Sequence, residues 1–428
     1  MAKVSRLLLW LLLAAAGGIG LGGAQAAEEP PADDSPLSYY SRAVNHAADM
    51  ARTDDRLLWG DLVERLPANT LGFRLDYLSR RYDSAYRDDG HIANPIRPLH
   101  LKDPFGGGGK FLDLRTHVNG RLETLMLQLS FGVVDNLTFY LNFPLVKQQA
   151  WLEDKFSPGT SAQVGGETAG ETFRLLERLG RPMTDHRYES DWSSGDLEMG
   201  LSWIYYDTPY LLIASQGAIM APTGRLADPG EAQRFGLGAQ VDVGNGSWAP
   251  KLTQVFQFRF PKPVSWLSYW AEGSVAYYLP SSRQSPPWRK PDADLDPWLI
   301  DLRAQDDRFI DLSSSDDSYT LTPGLQVDVL AGPIFSFAYF TFGVGYVYDY
   351  RQEPMVGADS SLKKFFKANY AYLDGESHNI AAQIGFPLAW LHLPGLLNMG
   401  YRYPLGGRNE LKWEDVGILQ TLLVLPME

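Results

Sequence analysis

The sequence predicts an all-β chain, a transmembrane antiparallel up-and-down β-barrel of about twelve strands, preceded by a short N-terminal helical segment. Three observations carry this expectation. Apolar and polar residues alternate with period two over segments of ten residues or more. The connections between those segments switch regularly between short and long. The composition is acidic, aromatic and free of cysteine, with 22 Tyr, 20 Phe, 12 Trp and a formal net charge of −13.

Taken in order, residues 1–26 read as a secretory signal peptide. Lys3 and Arg6 supply its charged start, Leu7 to Ala16 its apolar stretch, and Ala24-Gln25-Ala26 its small-residue cleavage site. With 0 Cys there is no lipid-attachment site, no disulfide framework and no thiolate chemistry. Residues 27–69 form an N-terminal segment. Its first part, 27–34, is rich in Glu, Pro and Asp. Ser35-Pro36 then supplies an N-cap and a first-turn proline, with Leu37, Tyr40, Val44, Ala47 and Ala48 following at helical spacing. Thr53 opens a second helix whose stripe is Leu58, Trp59, Leu62, Val63 and Leu66, ended by Pro67. Two short amphipathic helices need an apolar surface to cover. Leu58, Trp59, Leu62 and Leu66 are therefore candidates for a plug inside the barrel; a periplasmic partner bound through residues 27–69 is the alternative.

Residues 70–428 form the barrel. The strands are expected at 70–82, 120–131, 137–149, 195–207, 210–221, 246–260, 266–279, 318–330, 335–350, 376–389, 396–405 and 413–425. The alternation is clearest where Leu125, Leu127, Leu129 and Phe131 interleave with Thr124, Met126, Gln128 and Ser130. Each strand approaches or exceeds the ~9–11 residues that cross a bilayer at a tilt. The connections at 132–136, 207–209, 261–265, 331–334 and 390–395 are short. Those at 83–119, 150–194, 222–245, 280–317 and 351–375 are long, with a shorter one at 406–412. Short periplasmic turns and long outer loops produce this order when both chain ends are periplasmic. The outer membrane of a Gram-negative bacterium is the expected location, with its lipid as one partner.

Tyr205, Tyr206, Tyr210, Trp266, Tyr269 and Trp390 are placed at the periplasmic interface, and Tyr277, Tyr278, Tyr346, Tyr348, Tyr350 and Trp413 at the outer one. If Leu71, Phe73, Leu75 and Tyr77 face lipid, then Arg74, Asp76 and Arg80 face inward. By the same parity Gln128, Asn142, Asp196, Glu198, Gln257, Arg259, Glu272, Gln326, Asp328, Gln383 and Arg402 line the lumen. Charges of both signs at membrane depth must face water or each other. An ion-pair network that braces the barrel and a selectivity lining are both compatible with this set.

Several chemistries find no support. The acidic balance argues against a nucleic-acid partner. Gly106-Gly107-Gly108-Gly109-Lys110 resembles a phosphate loop, but Pro104 and Phe111 occupy its required Gly and Ser/Thr positions. Asp292, Asp294 and Asp296 alternate like a calcium loop, yet Pro297 and Arg303 stand where its Gly and Glu belong. Ser377-His378-Asn379 holds the residue types of a lipase site, but alternation turns His378 away from both neighbours. The expectation is no enzyme, no catalytic residue, no metal site and no cofactor.

Ser194-Gly195-Asp196-Leu197 opens one strand, and after a turn and a second strand comes Ala221-Pro222-Thr223-Gly224. This succession, with the Gly-rich stretch from Gly236 to Trp248, resembles an outer-membrane transporter family associated with the meta-pathway of phenol degradation, within the FadL-like channels. The match covers roughly residues 190–405; the long 280–317 connection and the N-terminal helices depart from it. The resemblance implies a passive, porin-like channel for small solutes, aromatic or hydrophobic ones among them, with an N-terminal segment plugging the lumen. The alternative is an export channel for a dedicated secreted polypeptide or polymer, similar in length and strand count to the barrel that exports functional-amyloid subunits.

Overall fold

A computed structural model describes the chain from Leu66 to Pro426, except for Pro67 and residues 96–97, 104–108, 159–186, 227–243, 286–300, 302–303, 306–311, 313–314, 338–339, 369–373 and 388–394. The predicted signal peptide, both predicted N-terminal helices up to residue 65, the Gly106 run as far as Gly108 and the Asp292–Asp296 alternation lie outside these residues.

Twelve strands close into an antiparallel barrel: β1 (Thr70–Tyr82), β2 (Lys110–Val134), β3 (Leu137–Pro158), β4 (Leu197–Asp207), β5 (Leu211–Ala221), β6 (Ala249–Arg259), β7 (Leu267–Tyr278), β8 (Gly324–Ser336), β9 (Thr341–Arg351), β10 (Gly375–Pro387), β11 (Gly395–Arg408) and β12 (Glu414–Pro426). Each pairs with its chain neighbours, and β12 returns to β1 in a ladder from Thr70↔Pro426 to Arg81↔Glu414. Closure removes the unpaired edge that lipid cannot solvate. This is the outer-membrane barrel fold that the connection parity predicts.

Two boundaries differ from the sequence expectation. β2 starts at Lys110 and β3 runs to Pro158, so parts of the expected 83–119 and 150–194 connections are strand. The reason is an inversion of polarity. Within the apolar belt of β2 the odd positions, Leu125 to Phe131, face outward. Beyond it Leu112, Leu114 and Val118 are buried at even positions, while Arg115, His117 and Asn119 are exposed. Lipid surrounds the lower part of the strand and water the upper part, so the apolar face switches sides and the pattern mimics a strand end. Tyr82 packs here with Val118, Ala150, Leu152, Leu411 and Trp413. Its ring lies over its cross-strand partner Gly120, where a Cβ would come within 2.0 Å of it.

The second correction concerns β8 and β9. The expected strand 318–330 is two strands. Ser318–Thr322 joins Ser281–Gln284 and Met355–Gly357 in a separate small sheet, and the barrel strand begins after Pro323, at Gly324 with φ +81°. The expected turn 331–334 lies inside β8, and the chain reverses at Phe337–Phe340, where the Phe337 N–H donates to the Phe340 carbonyl at 2.9 Å. Gly332-Pro333 imitates a turn signal. Pro333 nevertheless holds its register place opposite Tyr269.

Against that small sheet packs α1 (Ser360–Ala368), which buries Leu362 and Phe366 on Leu312, Tyr319 and Leu321. Asp359 caps it, its Oδ1 accepting from the N–H groups of Ser361 at 2.7 Å and Leu362 at 2.9 Å. Those backbone bonds, chiefly from Leu362, hold its carboxyl below the usual carboxylate range. The capping contribution is therefore present above the ordinary carboxylate pKa and is lost as pH falls through the lower folded value. Asp359→Ala is expected to weaken α1 by about 1 kcal/mol at neutral pH. Hydrogen exchange of the α1 amides checks this, and the difference from wild type should vanish in strong acid.

The outer wall carries aromatics at both rims. At the short-turn end Tyr206, Tyr210, Trp266 and Tyr269 are exposed, and Trp266, Phe335 and Phe342 stack with centroids 5.9 and 6.1 Å apart. At the long-loop end Tyr277, Tyr346 and Trp248 are exposed. Tyr278 and Trp413 depart from the expectation. Tyr278 is buried, with its hydroxyl 3.7 Å from the Met220 sulfur, and Trp413 packs edge-on against Tyr82 at 4.8 Å. Trp390 lies outside the described residues.

Candidate functional site in the barrel interior

Strand alternation and closure bring the inward residues of all twelve strands around one space, and most of the residues predicted there interact in small groups. On β1 the Arg74 guanidinium forms an ion pair with Asp76 and reaches Gln128 on β2 at 3.4 Å; Gln128 in turn donates to Ser130. Arg80 meets Asp415 of β12 at 3.2 Å. Asn142 of β3 donates to Glu198 of β4 at 3.3 Å, and Glu198 pairs with Lys251 of β6 at 3.4 Å. Near the short-turn end Gln257 accepts from Arg259, which also pairs with Asp207 at 2.9 Å.

On the remaining strands the Trp270 indole N–H donates to Glu272 at 3.3 Å. Asp328 accepts from Ser274 of β7 and from Gln326. Arg402 of β11 pairs with Asp349 of β9, whose carboxylate also accepts from Ser377 at 2.8 Å and Asn379 at 3.3 Å on the intervening β10. Gln383 is buried on β10. Such pairing reduces the cost of placing charge at membrane depth.

Asp196 is the exception. It precedes β4 at the long-loop end and faces backbone rather than other side chains. Its Oδ1 accepts from the Gly224 N–H at 2.9 Å and its Oδ2 from the Asn245 N–H at 2.6 Å. Thr223 completes the knot, its hydroxyl accepting from the Leu197 N–H and donating to the Gly195 carbonyl. The residues that carry the sequence resemblance therefore tie together the base of a long connection. Gly224 and Gly244 approach so closely that a Cβ on Gly224 would lie 2.5 Å from the Gly244 Cα.

Sequence reasoning missed Asp349, Ser377, Asn379, Asp415 and Lys251. For Asp349 the signal was present, because outward Tyr346, Tyr348 and Tyr350 force Val347 and Asp349 inward. Asp415 was hidden by the β-bulge of β12 opposite Tyr77–Ser79. It also missed an apolar inner wall. Ile204, Leu212, Ala214, Val255, Trp270, Leu330, Ile334, Val347 and Ala381 form one buried cluster across β4 to β10. Parity alone had assigned apolar residues to lipid and polar ones to the lumen. Strands such as Leu211-Leu212-Ile213-Ala214 are apolar on both faces, and alternation says nothing there.

His378 faces outward, between Tyr346 and Tyr348, with its Nδ1 against the Tyr346 hydroxyl. Ser377 and Asn379 face inward and bond each other at 3.0 Å. The three therefore do not form a row. Among the described residues no group of three or more His, Cys, Asp or Glu side chains is arranged to hold a metal ion. Leu66, the one plug candidate among the described residues, is completely buried, and its N–H donates at 3.2 Å to the hydroxyl of Thr138, itself buried on β3. Asn69, at φ 59°, then turns the chain into β1.

No protein-family model and no curated protein matches the chain. Among solved structures it is similar to an outer membrane channel from Pseudomonas putida F1, with 13% identity over 85% of this chain and 98% of that one, at a TM-score of 0.49. It is also similar to the monoaromatic hydrocarbon channel CymD (10% identity, 85% and 90% covered, TM-score 0.33) and to the toluene transporter TbuX of Ralstonia pickettii (10%, 84% and 90%, TM-score 0.33). Each is a likeness of barrel architecture at low identity.

Proposed function

We propose that this chain is a passive outer-membrane channel for small hydrophobic solutes, aromatic ones among them. The observation that carries the proposal is the mixed interior, in which buried apolar side chains lie among engaged charges. The apolar cluster on β4–β10 shares the interior with charged side chains that are engaged in ion pairs or hydrogen bonds, among them Glu198 with Lys251 and Arg402 with Asp349. A solute's apolar surface gains about 25 cal/mol per Å² on leaving water for such a wall, while the paired charges brace the barrel without trapping ions. Twelve strands enclose more space than eight, whose interior side chains alone can fill.

The gate in this reading is the 35–67 segment, held in the short-turn mouth. Its support is the burial of Leu66 against Thr138 at the inner wall. No observation among the described residues favours the export alternative.

Deletion of residues 35–67 tests the gate in planar bilayers. Single-channel conductance should rise roughly tenfold if the segment fills a lumen of this strand number. An unchanged conductance would mean that the segment serves a periplasmic partner instead. Proteoliposome uptake tests the solute class: a small aromatic hydrocarbon should enter faster than a sugar of similar size, and equal rates would overturn the reading.

A further inference from the structure

The outward faces of β1, β2 and β3 change character along one line. Tyr77, Leu125 and Leu145 are register neighbours and end the apolar belt. Ser79, Glu123 and Lys147 follow on the same face, and then Arg81, Arg121 and Gln149. Three adjacent strands thus pass from lipid to water at the same level. Elsewhere on the barrel the exposed outward residues include Tyr277 and Tyr346.

Arg81 and Arg121 stand directly opposite each other across the β1–β2 ladder, an arrangement that like charges oppose. Arg121 is held in place, 2.7 Å from Glu123 and with its Nε donating to the Ser79 hydroxyl at 3.2 Å. Lys147 is likewise neutralised by Glu189 at 2.8 Å. Arg81 is exposed and has no hydrogen bond or ion pair among the described residues. Glu414, its register neighbour on β12, forms no ion pair with it, which leaves the β2 side of Arg81 as the site for an anion.

We propose that Arg81 and Arg121 bind the phosphate of an outer-membrane lipid headgroup. Directly opposed residues have Cβ atoms about 4.5–5.5 Å apart, so two guanidinium forks can reach one phosphate. The site lies one step above the apolar belt, at the depth where a headgroup phosphate sits when its acyl chains lie along Tyr77, Leu125 and Leu145. The phosphate relieves the repulsion of the facing arginines, of which Arg81 forms no ion pair among the described residues. This inference is independent of what the lumen carries.

The test uses the full-length protein in phosphatidylcholine nanodiscs doped with lipid A, with retained lipid A counted by native mass spectrometry. Arg81→Gln should lower retention about fivefold, and removal of both arginines about 25-fold, since each basic side chain near the surface contributes about one such factor. Lys155→Gln, which removes an exposed charge away from this line, should change nothing. Dephosphorylated lipid A on the wild-type protein should be retained as poorly as intact lipid A on the double variant, a comparison that needs no variant to fold. Equal retention of the two lipids, or of wild type and a folded Arg81→Gln, would overturn the proposal. Displacement by inorganic phosphate at equal affinity would show a free-phosphate site and overturn the lipid assignment.

Discussion

Arg402→Ala is expected to destabilise the barrel by about 3 kcal/mol, toward the lower end of the range for breaking a buried ion pair from one side. The guanidinium is nearly buried on β11 and serves the Asp349 carboxylate across β10. Its removal leaves Asp349 with the Ser377 and Asn379 donors alone. The exposure of Asp349, about 30%, lets water recover part of the loss and sets the estimate low in the range. Urea unfolding in detergent, read by heat-modifiable mobility, measures it. A double-mutant cycle with Asp349→Ala separates the pair from ordinary packing. If the two losses add, the ion pair does not brace the barrel.

Asp196→Ala should cost a similar amount for a different reason. It removes a charged acceptor shared by the Gly224 and Asn245 N–H groups, and hydrogen bonds to charged groups contribute about 1.5–3 kcal/mol each. Partial access of water to these freed groups brings the total to about 3 kcal/mol rather than the full sum. Asp196→Asn keeps one acceptor oxygen and should retain about half of the effect. Hydrogen exchange at Gly224 and Asn245 reads the change locally. Fast exchange in Asp196→Ala with intermediate exchange in Asp196→Asn is the expected pattern. Unchanged protection in both would show that the Thr223 bonds alone hold the base of this connection.

These two residues mark how far the sequence could be read. Arg402 was legible as an inward residue, because Tyr401 and Tyr403 flank it and alternation turns it away from them. Its partner was not, since Asp349 lies two strands away and nothing local couples them. Asp196 was assigned to the lumen by parity and instead caps backbone amides beyond the strand. Parity applies only within regular strand, and Asp196 stands one residue before β4 starts. The apolar inner wall was illegible for a related reason. A lumen that contains apolar surface gives strands that are apolar on both faces, and alternation cannot report a face it does not distinguish.

By itself the sequence determined the number of barrel strands, their up-and-down order and the parity of their connections. Those properties are local: a two-residue period and its interruptions are written in neighbouring side chains. Only the tertiary structure decided where the strands of the water-exposed hairpin end, where β8 begins, and which charges meet. Closing β12 onto β1 brings Asp415 to Arg80, and the change of solvent along β2 and β3 moves the apolar face from outside to inside. Both depend on what surrounds a residue in space, which its sequence neighbours do not record.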